Sequence, residues 1–315
     1  MVLTTSGRTI ASPAPSSSAT SLQRHTQIRP PAAAGPRPRR PLHTGHIRGV
    51  AETAFVSLAA RAVAGERFPQ LRVRDCLAEA AARDLRLDLG LYADTDERAL
   101  DIISRSWALD ELIGAFTSRY ANAQVLNLGA GLSTQFHRLD NGFMTWLDVD
   151  LPEIVELRRA VLPPRARQRA HAADFTRPDW AQSLPLRPAP TLIVAEGLTM
   201  FLDPAIVHRL FRDLAAITGG QPADMVFDYV PRQLCNVAGV VNPAVRTAED
   251  EAVCYRWGIR REKELCAGVP GWTLVRTVPI GTGPARPGRL LGRLMRCFTA
   301  GGRAIANLRH VPARA

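Results

Sequence analysis

The stretch VLNLGAGLSTQ, residues 125–135, decides the fold. An apolar run ends there in two glycines, Gly129 and Gly131, and the next apolar run, WLDVD, closes on Asp150, nineteen residues after Gly131. A glycine-rich turn between a strand and a helix lets the backbone approach a ligand closely, and an acid after the second strand accepts hydrogen bonds from ribose hydroxyls. The arrangement predicts a nucleotide-cofactor site.

The acids that follow the strands indicate which nucleoside binds. The dinucleotide fingerprint requires a glycine where this chain has Thr134, which weakens a dinucleotide interpretation. Asp174 and Glu196 follow further apolar runs, and the carboxyl ends of parallel strands meet at one edge of a sheet, so both acids converge with Asp150. Carboxylates suit ribose hydroxyls, an adenine amino group and a cationic sulfonium or ammonium group. The pattern favours S-adenosyl-L-methionine.

Five separate motifs, in order, resemble one family. They are GVAETAFVSLAARA at 49–62, SRSWALDELI at 104–113, NLGAGLSTQFHRLDNG at 127–142, WLDVDLPEIVELRRAVLP at 146–163 and AEGLTMFL at 195–202. Together they resemble the leucine carboxyl methyltransferase family of S-adenosylmethionine-dependent methyltransferases, in particular the bacterial branch of tetracenomycin-type polyketide O-methyltransferases. The resemblance implies a class I, Rossmann-like methyltransferase fold with an N-terminal helical cover.

The resemblance also implies a set of cofactor-binding residues. These are Arg105, Gly129, Ala130, Gly131, Asp150, Asp174, Phe175 and Glu196. In the family's arrangement the glycines form the cofactor loop, Asp150 holds the ribose, Asp174 meets the adenine edge, Glu196 lines the methionine side and Arg105 pairs with the methionine carboxylate. Arg61 is a second candidate for that carboxylate, and it is equally well interpreted as a solvated arginine on an amphipathic helix.

The chain departs from the family directly after its glycines. The family often has LDTR there, and residues 132–135 are LSTQ. Contacts made by the family's aspartate and arginine at 133 and 135 are therefore not carried over. Ser133 can still cap the helix that follows.

Hydrophobic periodicity predicts an α/β, doubly wound, mostly parallel sheet, with a late strand in WTLVRTVPI, which starts at Trp272. The resemblance implies that this late strand is antiparallel. The predicted helices lie near 52–65, 75–87, 106–118, 133–139, 152–161 and 203–217, and the predicted strands at 124–128, 144–149, 168–173, 191–195 and 224–230. Asp203 and Pro204 are typical of the start of a helix.

Composition divides the chain into three parts. Residues 1–45, rich in Pro, Ser and Arg, are expected to be disordered because they cannot bury enough apolar surface. Residues 46–285 form the methyltransferase domain, with N-terminal helices over 46–120 and a substrate cover over about 229–262. Residues 286–315 are a basic tail in which GRLLGRLMRCFTAGG can form an amphipathic helix that docks on the core or on a membrane surface.

The charge is concentrated at the two ends. Residues 1–51 hold seven arginines and residues 265–315 hold eight, with no acid in either, so the net +11 less these 15 charges leaves about −4 for the middle. No RNA-binding motif accompanies the basic ends, which argues against nucleic acid as a partner. Five cysteines without metal-ligand spacing predict reduced thiols and no metal. The chain shows no apolar run long enough to span a bilayer, so we expect a cytoplasmic protein.

The expected function is O-methyl transfer from S-adenosylmethionine to a small-molecule carboxylate or phenol of polyketide-like secondary metabolism. No dedicated base is recognisable, so the catalytic residues stay unassigned, and catalysis by positioning mildly favours a carboxylate. Candidate substrate residues are Tyr229, Arg232, Asn236, Tyr255 and Arg256. Two alternatives remain open, namely methylation of a protein's C-terminal carboxylate and a non-catalytic cofactor-binding module.

Overall fold

The computed structural model describes residues 44–218, 220–267, 271–280 and 303–310. The predicted disordered extension, apart from its last two residues, and the amphipathic segment at 288–302 lie outside these ranges, so both expectations stay predictions. Within the described part no helix combines the length and apolarity needed to cross a bilayer.

The helices and strands alternate after an N-terminal helical region. The helices are α1 (Thr53–Arg67), α2 (Cys76–Asp84), α3 (Leu89–Tyr92), α4 (Asp96–Arg119), α5 (Gln135–Leu139), α6 (Pro152–Val161) and α7 (Pro204–Ile217). The strands are β1 (Gln124–Leu128), β2 (Thr145–Asp150), β3 (Gln168–Ala172), β4 (Thr191–Ala195), β5 (Ala223–Tyr229), β6 (Trp272–Pro279) and β7 (Ala304–His310).

The described strands form one sheet in the order β3-β2-β1-β4-β5-β7-β6. The first five pair in parallel, whereas β7 is antiparallel to both β5 and β6. The strand order reverses direction between β1 and β4, and ligands of open α/β sheets bind outside the carboxyl ends of strands at such a switch point. The glycine turn after β1 lies at this point.

The sheet is covered on both faces because its strands alternate their side chains. Val125 of β1 packs on one face with Ile113 of α4, while Leu126 packs on the other face with Phe211 of α7. A separate apolar cluster joins α1 and α2 to α6, with Phe55 packed among its members. The N-terminal helices therefore pack over the glycine turn, and the predicted doubly wound fold with a helical cover is confirmed.

Two sequence-based boundaries need correction. Helix α4 begins at Asp96, capped by the Thr95 hydroxyl, ten residues earlier than the predicted start at 106. The domain does not end at 285, because residues 304–310, assigned to a basic tail, form strand β7 between β5 and β6. In β7 Ile305 and Leu308 are fully buried, so this end of the tail is a core strand.

Two predicted caps take other roles. Asp203 precedes α7 as expected, but its side chain makes no capping bond and instead pairs with Arg256 at 2.7 Å. The Ser133 hydroxyl accepts a hydrogen bond from the Gln135 backbone N–H at 3.3 Å, just before α5 begins. Ser133 therefore holds the turn that leads into the helix.

Candidate functional site

A cavity of about 310 Å³ lies at the carboxyl edge of the sheet, between the strands and the N-terminal helices. All eight residues predicted to bind the cofactor line it, namely Arg105, Gly129, Ala130, Gly131, Asp150, Asp174, Phe175 and Glu196. They come from the turn after β1, from the last residue of β2, from the segments after β3 and β4 and from α4. The topology thus brings together residues separated by up to 91 positions in the chain.

The glycine turn needs both of its glycines. Gly129 has φ +60° and Gly131 has φ +48°, a region that disfavours a side chain. A Cβ at Gly129 would lie 3.0 Å from Leu198 Cδ1, and one at Gly131 would lie 3.4 Å from Ala54 Cβ of α1. The backbone therefore passes closely between α1 and the segment after β4, which leaves the turn facing the cavity.

Asp150 is held in place by the turn itself. Its carboxylate accepts hydrogen bonds from the backbone N–H of Gly131 at 2.7 Å and from that of Leu151 at 2.8 Å. Burial raises the pKa of Asp150 to about 6, against the lowering effect of those two hydrogen bonds. Asp150 is thus oriented towards the cavity and changes its charge in a mildly acidic range.

Beneath the turn lies a buried arginine that sequence reasoning missed. Arg158 of α6 donates from Nη1 to the Gly131 carbonyl at 2.6 Å and from Nη2 to Asp148 at 2.6 Å. Asp148 also accepts from the side chains of Asn127 and Trp146, both at 2.8 Å, and from Gln168 at 2.7 Å. The turn therefore rests on a fully engaged polar cluster. The sequence feature that could have indicated this cluster is Asp148, the acid in WLDVD that precedes Asp150.

Arg105 lies between two carboxylates. Its Nε donates to Glu196 Oε1 at 3.1 Å and its Nη1 to Asp228 Oδ2 at 3.2 Å. Burial alone would lower the pKa of Arg105, but the Asp228 and Glu196 carboxylates outweigh it and raise the pKa above its ordinary value. The guanidinium is permanently charged, and Asp228, at the carboxyl end of β5, is an acid that the strand-end pattern could have identified.

At residue 135, where the family often has an arginine, this chain has the neutral side chain of Gln135. Gln135 Nε2 donates to Glu196 Oε2 at 3.1 Å, so an amide contacts the acid that also binds Arg105. A buried charge is supplied one turn later by Arg138, which pairs with Asp75 at 3.1 Å and with Asp110 at 2.8 Å. Glu196 is therefore fixed from two sides.

Arg61 is buried, so its interpretation as a solvated surface residue is wrong. It lines the cavity with 6% of its surface exposed and donates from Nη2 to the Leu132 carbonyl at 2.9 Å. Its Nε lies 3.5 Å from Asp75 Oδ2 and has no hydrogen-bond partner among the described residues. Burial lowers the pKa of Arg61 from its ordinary value. A buried cationic donor thus remains at the cavity wall near the glycine turn.

Asp174 and Phe175, the residues predicted to meet the adenine, follow β3. Asp174 Oδ1 accepts from the backbone N–H of Thr176 at 2.9 Å and from its hydroxyl at 2.7 Å, which fixes the turn. Phe175 is buried and packs edge-on against Trp180, with ring centroids 5.1 Å apart. The wall here combines an acceptor with a flat apolar surface.

Of the five substrate candidates, only Tyr255 lines the cavity. Tyr229 is buried within β5, and Asn236 donates its backbone N–H to the Tyr255 carbonyl at 2.8 Å. Arg232 pairs with Glu264 at 2.7 Å, and Arg256 is exposed and pairs with Asp203. The cover does reach the cavity, but through Val241, Asn242 and Tyr255. Alternation in an irregular segment does not reveal which side chains point inwards.

The donor set fits the expected cofactor. The glycine turn leaves room for close approach, Asp150 is an oriented acceptor for hydroxyls, and the buried Nε of Arg61 makes no hydrogen bond within the described part. Among the described residues no group of three or more His, Cys, Asp or Glu could hold a metal ion.

Comparisons with known proteins identify the family. A family model described as leucine carboxyl methyltransferase matches residues 54–215. The chain is 32% identical over 238 residues to the tetracenomycin polyketide synthesis O-methyltransferase TcmP of Streptomyces glaucescens, covering 72% of this chain and 82% of that protein. It is 31% identical over 172 residues to Rv0281 of Mycobacterium tuberculosis H37Rv, a candidate S-adenosylmethionine-dependent methyltransferase, covering 49% and 56%.

Solved structures share the fold. A candidate methyltransferase from Thermobifida fusca YX aligns with a TM-score of 0.51 at 16% identity, over 85% of this chain and 97% of that one. A DUF574-family protein from Streptomyces avermitilis MA-4680 aligns with a TM-score of 0.51 at 12% identity, over 81% and 97%. These likenesses concern the fold alone and agree with the expected class I architecture. The chain belongs to the leucine carboxyl methyltransferase family and is an S-adenosylmethionine-dependent methyltransferase.

Proposed function

We propose that the protein transfers a methyl group to an oxygen of a small molecule, a carboxylate or a phenol with a polyketide-like apolar body. The observation that supports the proposal is that the cofactor residues and an apolar region line one and the same cavity. Beyond the cofactor residues its wall becomes mainly apolar, formed by Val56, Ile102, Met200, Phe201 and Val241. The family relative TcmP is a polyketide O-methyltransferase, which supports an acceptor of this kind.

The cofactor residues divide into three groups by their chemistry. Asp150 would accept from the ribose hydroxyls, because its oxygens are already oriented by the glycine turn. Asp174 and Phe175 would contact the adenine. Arg105 and Arg61 would face the methionine carboxylate, since both residues line the cavity and the Nε of Arg61 makes no hydrogen bond within the described residues.

When bound, S-adenosylmethionine supplies an electrophilic methyl carbon, to which an acceptor oxygen donates a lone pair while the carbon–sulfur bond breaks with its electrons on sulfur. The protein's part is to hold the acceptor oxygen in line, about 3–3.5 Å from that carbon. No histidine is among the described residues that line the cavity. The carboxylate of Glu196 is occupied by Arg105 and Gln135. An acceptor that is already ionised at neutral pH, as a carboxylate is, fits this wall best.

Calorimetric titration with S-adenosylmethionine, followed by transfer assays with labelled methyl donor, tests the proposal. We expect Asp150→Ala and Arg105→Ala each to weaken cofactor affinity at least tenfold, because each removes charge-assisted hydrogen bonds of about 1.5–3 kcal/mol. We expect label in aryl carboxylates or phenols. Label in the C-terminal carboxylate of peptides alone would support the protein-substrate alternative instead, and cofactor binding without any transfer would support a binding module.

A further inference from the structure

Strand β7 brings a cationic residue to the cavity from the far end of the chain. Arg303 directly precedes β7, and Ala304 pairs with Tyr229 at the carboxyl end of β5. Because β7 is antiparallel to β5, its first residues lie at the carboxyl edge of the sheet, where the cofactor residues gather. The Arg303 side chain lines the same cavity as Asp150 and Glu196.

The Arg303 side chain contacts α4 and the substrate cover. Its Nη1 pairs with Asp101 of α4, and its Nη2 donates to the Tyr255 hydroxyl at 3.0 Å, with the guanidinium carbon 5.5 Å from the ring centroid. Because this hydroxyl accepts the bond from Arg303, its own proton remains to be donated, and no acceptor for it is found among the described residues. Burial raises the pKa of Tyr255, which keeps it protonated. The pair thus offers a cation and a neutral donor side by side.

Helix α4 gives the position of this pair relative to the cofactor end. Asp101 and Arg105 are four residues apart on α4, which corresponds to about 6 Å along the helix axis. Arg105 contacts Glu196 at the cofactor end, so Arg303 lies about one helical turn further along the cavity. A group held there would be close to a bound cofactor, on the apolar side formed by Ile102 and Phe201.

Among the described residues, the charged side chains that line the cavity include one more cation than anion. Four arginines and three acids line the cavity in the described part: Arg61, Arg98, Arg105 and Arg303, with Asp150, Asp174 and Glu196. The three acids belong to the cofactor end. Around the pair, Arg98 is bound to Asp94 at 2.9 Å, and Asp101 is the acid that contacts Arg303.

We propose that Arg303 and Tyr255 form the acceptor subsite and determine specificity for a carboxylate on an apolar small molecule. The inference rests on the proposed function and names the residues that select its acceptor. Within the described residues Arg303 uses two of its five N–H donors on Asp101 and Tyr255, so further donors remain for a carboxylate, and the Tyr255 hydroxyl adds one more. Methylation converts the carboxylate into a neutral ester, which loses the charge-assisted bond to Arg303, so the same pair disfavours retention of the product.

Binding measurements on the full chain, saturated with S-adenosylhomocysteine, test this subsite. The probes are benzoate, 2-naphthoate and anthracene-2-carboxylate, each compared with its methyl ester and with 2-naphthol. The variants are Arg303→Gln, Tyr255→Phe and, as a matched control, Arg256→Gln, because Arg256 neighbours Tyr255 in the chain but is exposed and does not line the cavity.

We expect the best carboxylate to bind the wild-type protein at least tenfold more tightly than its ester. Arg303→Gln should remove that preference and leave ester and S-adenosylhomocysteine affinities within twofold. Tyr255→Phe should weaken the carboxylate by a few fold, and Arg256→Gln should change nothing.

If Arg303→Gln weakens the carboxylate and the ester equally, Arg303 has only a structural role. That result would overturn the subsite, while the proposed function would survive. Tighter binding of 2-naphthol than of 2-naphthoate, unchanged in Arg303→Gln, would likewise overturn the subsite and indicate a phenol acceptor. If no aryl probe binds although S-adenosylhomocysteine does, both the subsite and the small-molecule proposal fail.

Discussion

Arg158 and Asp148 form a buried ion pair, 2.6 Å from Nη2 to Oδ2, directly beneath the glycine turn. Both side chains are almost completely buried, at 4% and 2% exposed. The same guanidinium donates to the Gly131 carbonyl oxygen, so the pair connects α6 and β2 to the turn that faces the cavity. The shape of the cofactor turn thus depends on a charge pair that never reaches the cavity itself.

Replacing Arg158 by alanine should destabilise the protein by about 3–5 kcal/mol, because Asp148 is left buried without its cation. Urea unfolding measures the change. The double variant Arg158→Ala with Asp148→Asn should recover part of the loss, since the uncompensated charge is gone. Strictly additive losses in the two single variants would contradict a coupled pair.

Cofactor affinity should depend on the protonation of Asp150. In its proposed role the ionised carboxylate would accept hydrogen bonds from the ribose hydroxyls, and the pKa of Asp150 is about 6 in the cofactor-free protein. We therefore expect constant affinity for S-adenosylmethionine above about pH 7 and a progressive loss below pH 6, approaching tenfold per pH unit. Calorimetric titration from pH 5 to pH 8 checks this. A flat profile in the wild type, or the same slope in Asp150→Asn, would count against the role of Asp150.

The raised pKa of Asp150 also affects stability. The folded state binds the proton more tightly than the unfolded state does, so the favourable contribution is present below pH 4 and is lost as pH rises through about 6. The span from the ordinary 3.8 to about 6 corresponds to about 3 kcal/mol. Relative to the wild type, Asp150→Asn should therefore gain stability between pH 4 and pH 7, as measured by urea unfolding. No pH-dependent difference between the two proteins would contradict this linkage.

Gly129→Ala should destabilise the protein more than Gly142→Ala, although both glycines have a positive φ. Gly129 has φ +60° and a new Cβ would meet Leu198 at 3.0 Å, whereas Gly142 has φ +85° with nothing within 4 Å. Both variants are strained by about 1–2 kcal/mol, and the Leu198 contact should add about 1–3 kcal/mol to the first. Thermal unfolding measures both, and cofactor affinity should fall only in Gly129→Ala. Equal effects would show that the close approach of Leu198 is tolerated.

Deleting residues 303–315 should abolish folding. The deletion removes β7 from between β5 and β6 and with it the fully buried Ile305 and Leu308, each worth about 1.5–3 kcal/mol in a protein whose total stability is about 5–15 kcal/mol. Deleting residues 1–43 provides the comparison, since their composition predicts an unchanged melting temperature. Circular dichroism and thermal unfolding distinguish the two. A C-terminally truncated chain that still unfolds cooperatively would show that β7 is dispensable.

Local patterns in the sequence were sufficient for most of the fold. The alternation around β1 and β2 and the glycines at 129 and 131 depend on neighbours along the chain, and the structure has strands and a turn at those positions. The meeting of the proposed cofactor residues in one cavity could be predicted because parallel strands align their carboxyl ends, which brings together acids that are far apart in the chain. Asp228, the penultimate residue of β5, obeys the same rule.

What the sequence by itself determined is the order of most elements, the glycine turn after β1 and the cavity residues that surround it. What only the tertiary structure decided is the placement of β7, the burial of Arg61 and Arg158 and the meeting of Arg303 with Tyr255. The physical reason is that hydrophobic periodicity reports which side of an element is buried, but not which distant strand it pairs with. The pairing of β5 with β7 joins residues about 80 positions apart, and it carries a residue of the basic tail into the cavity.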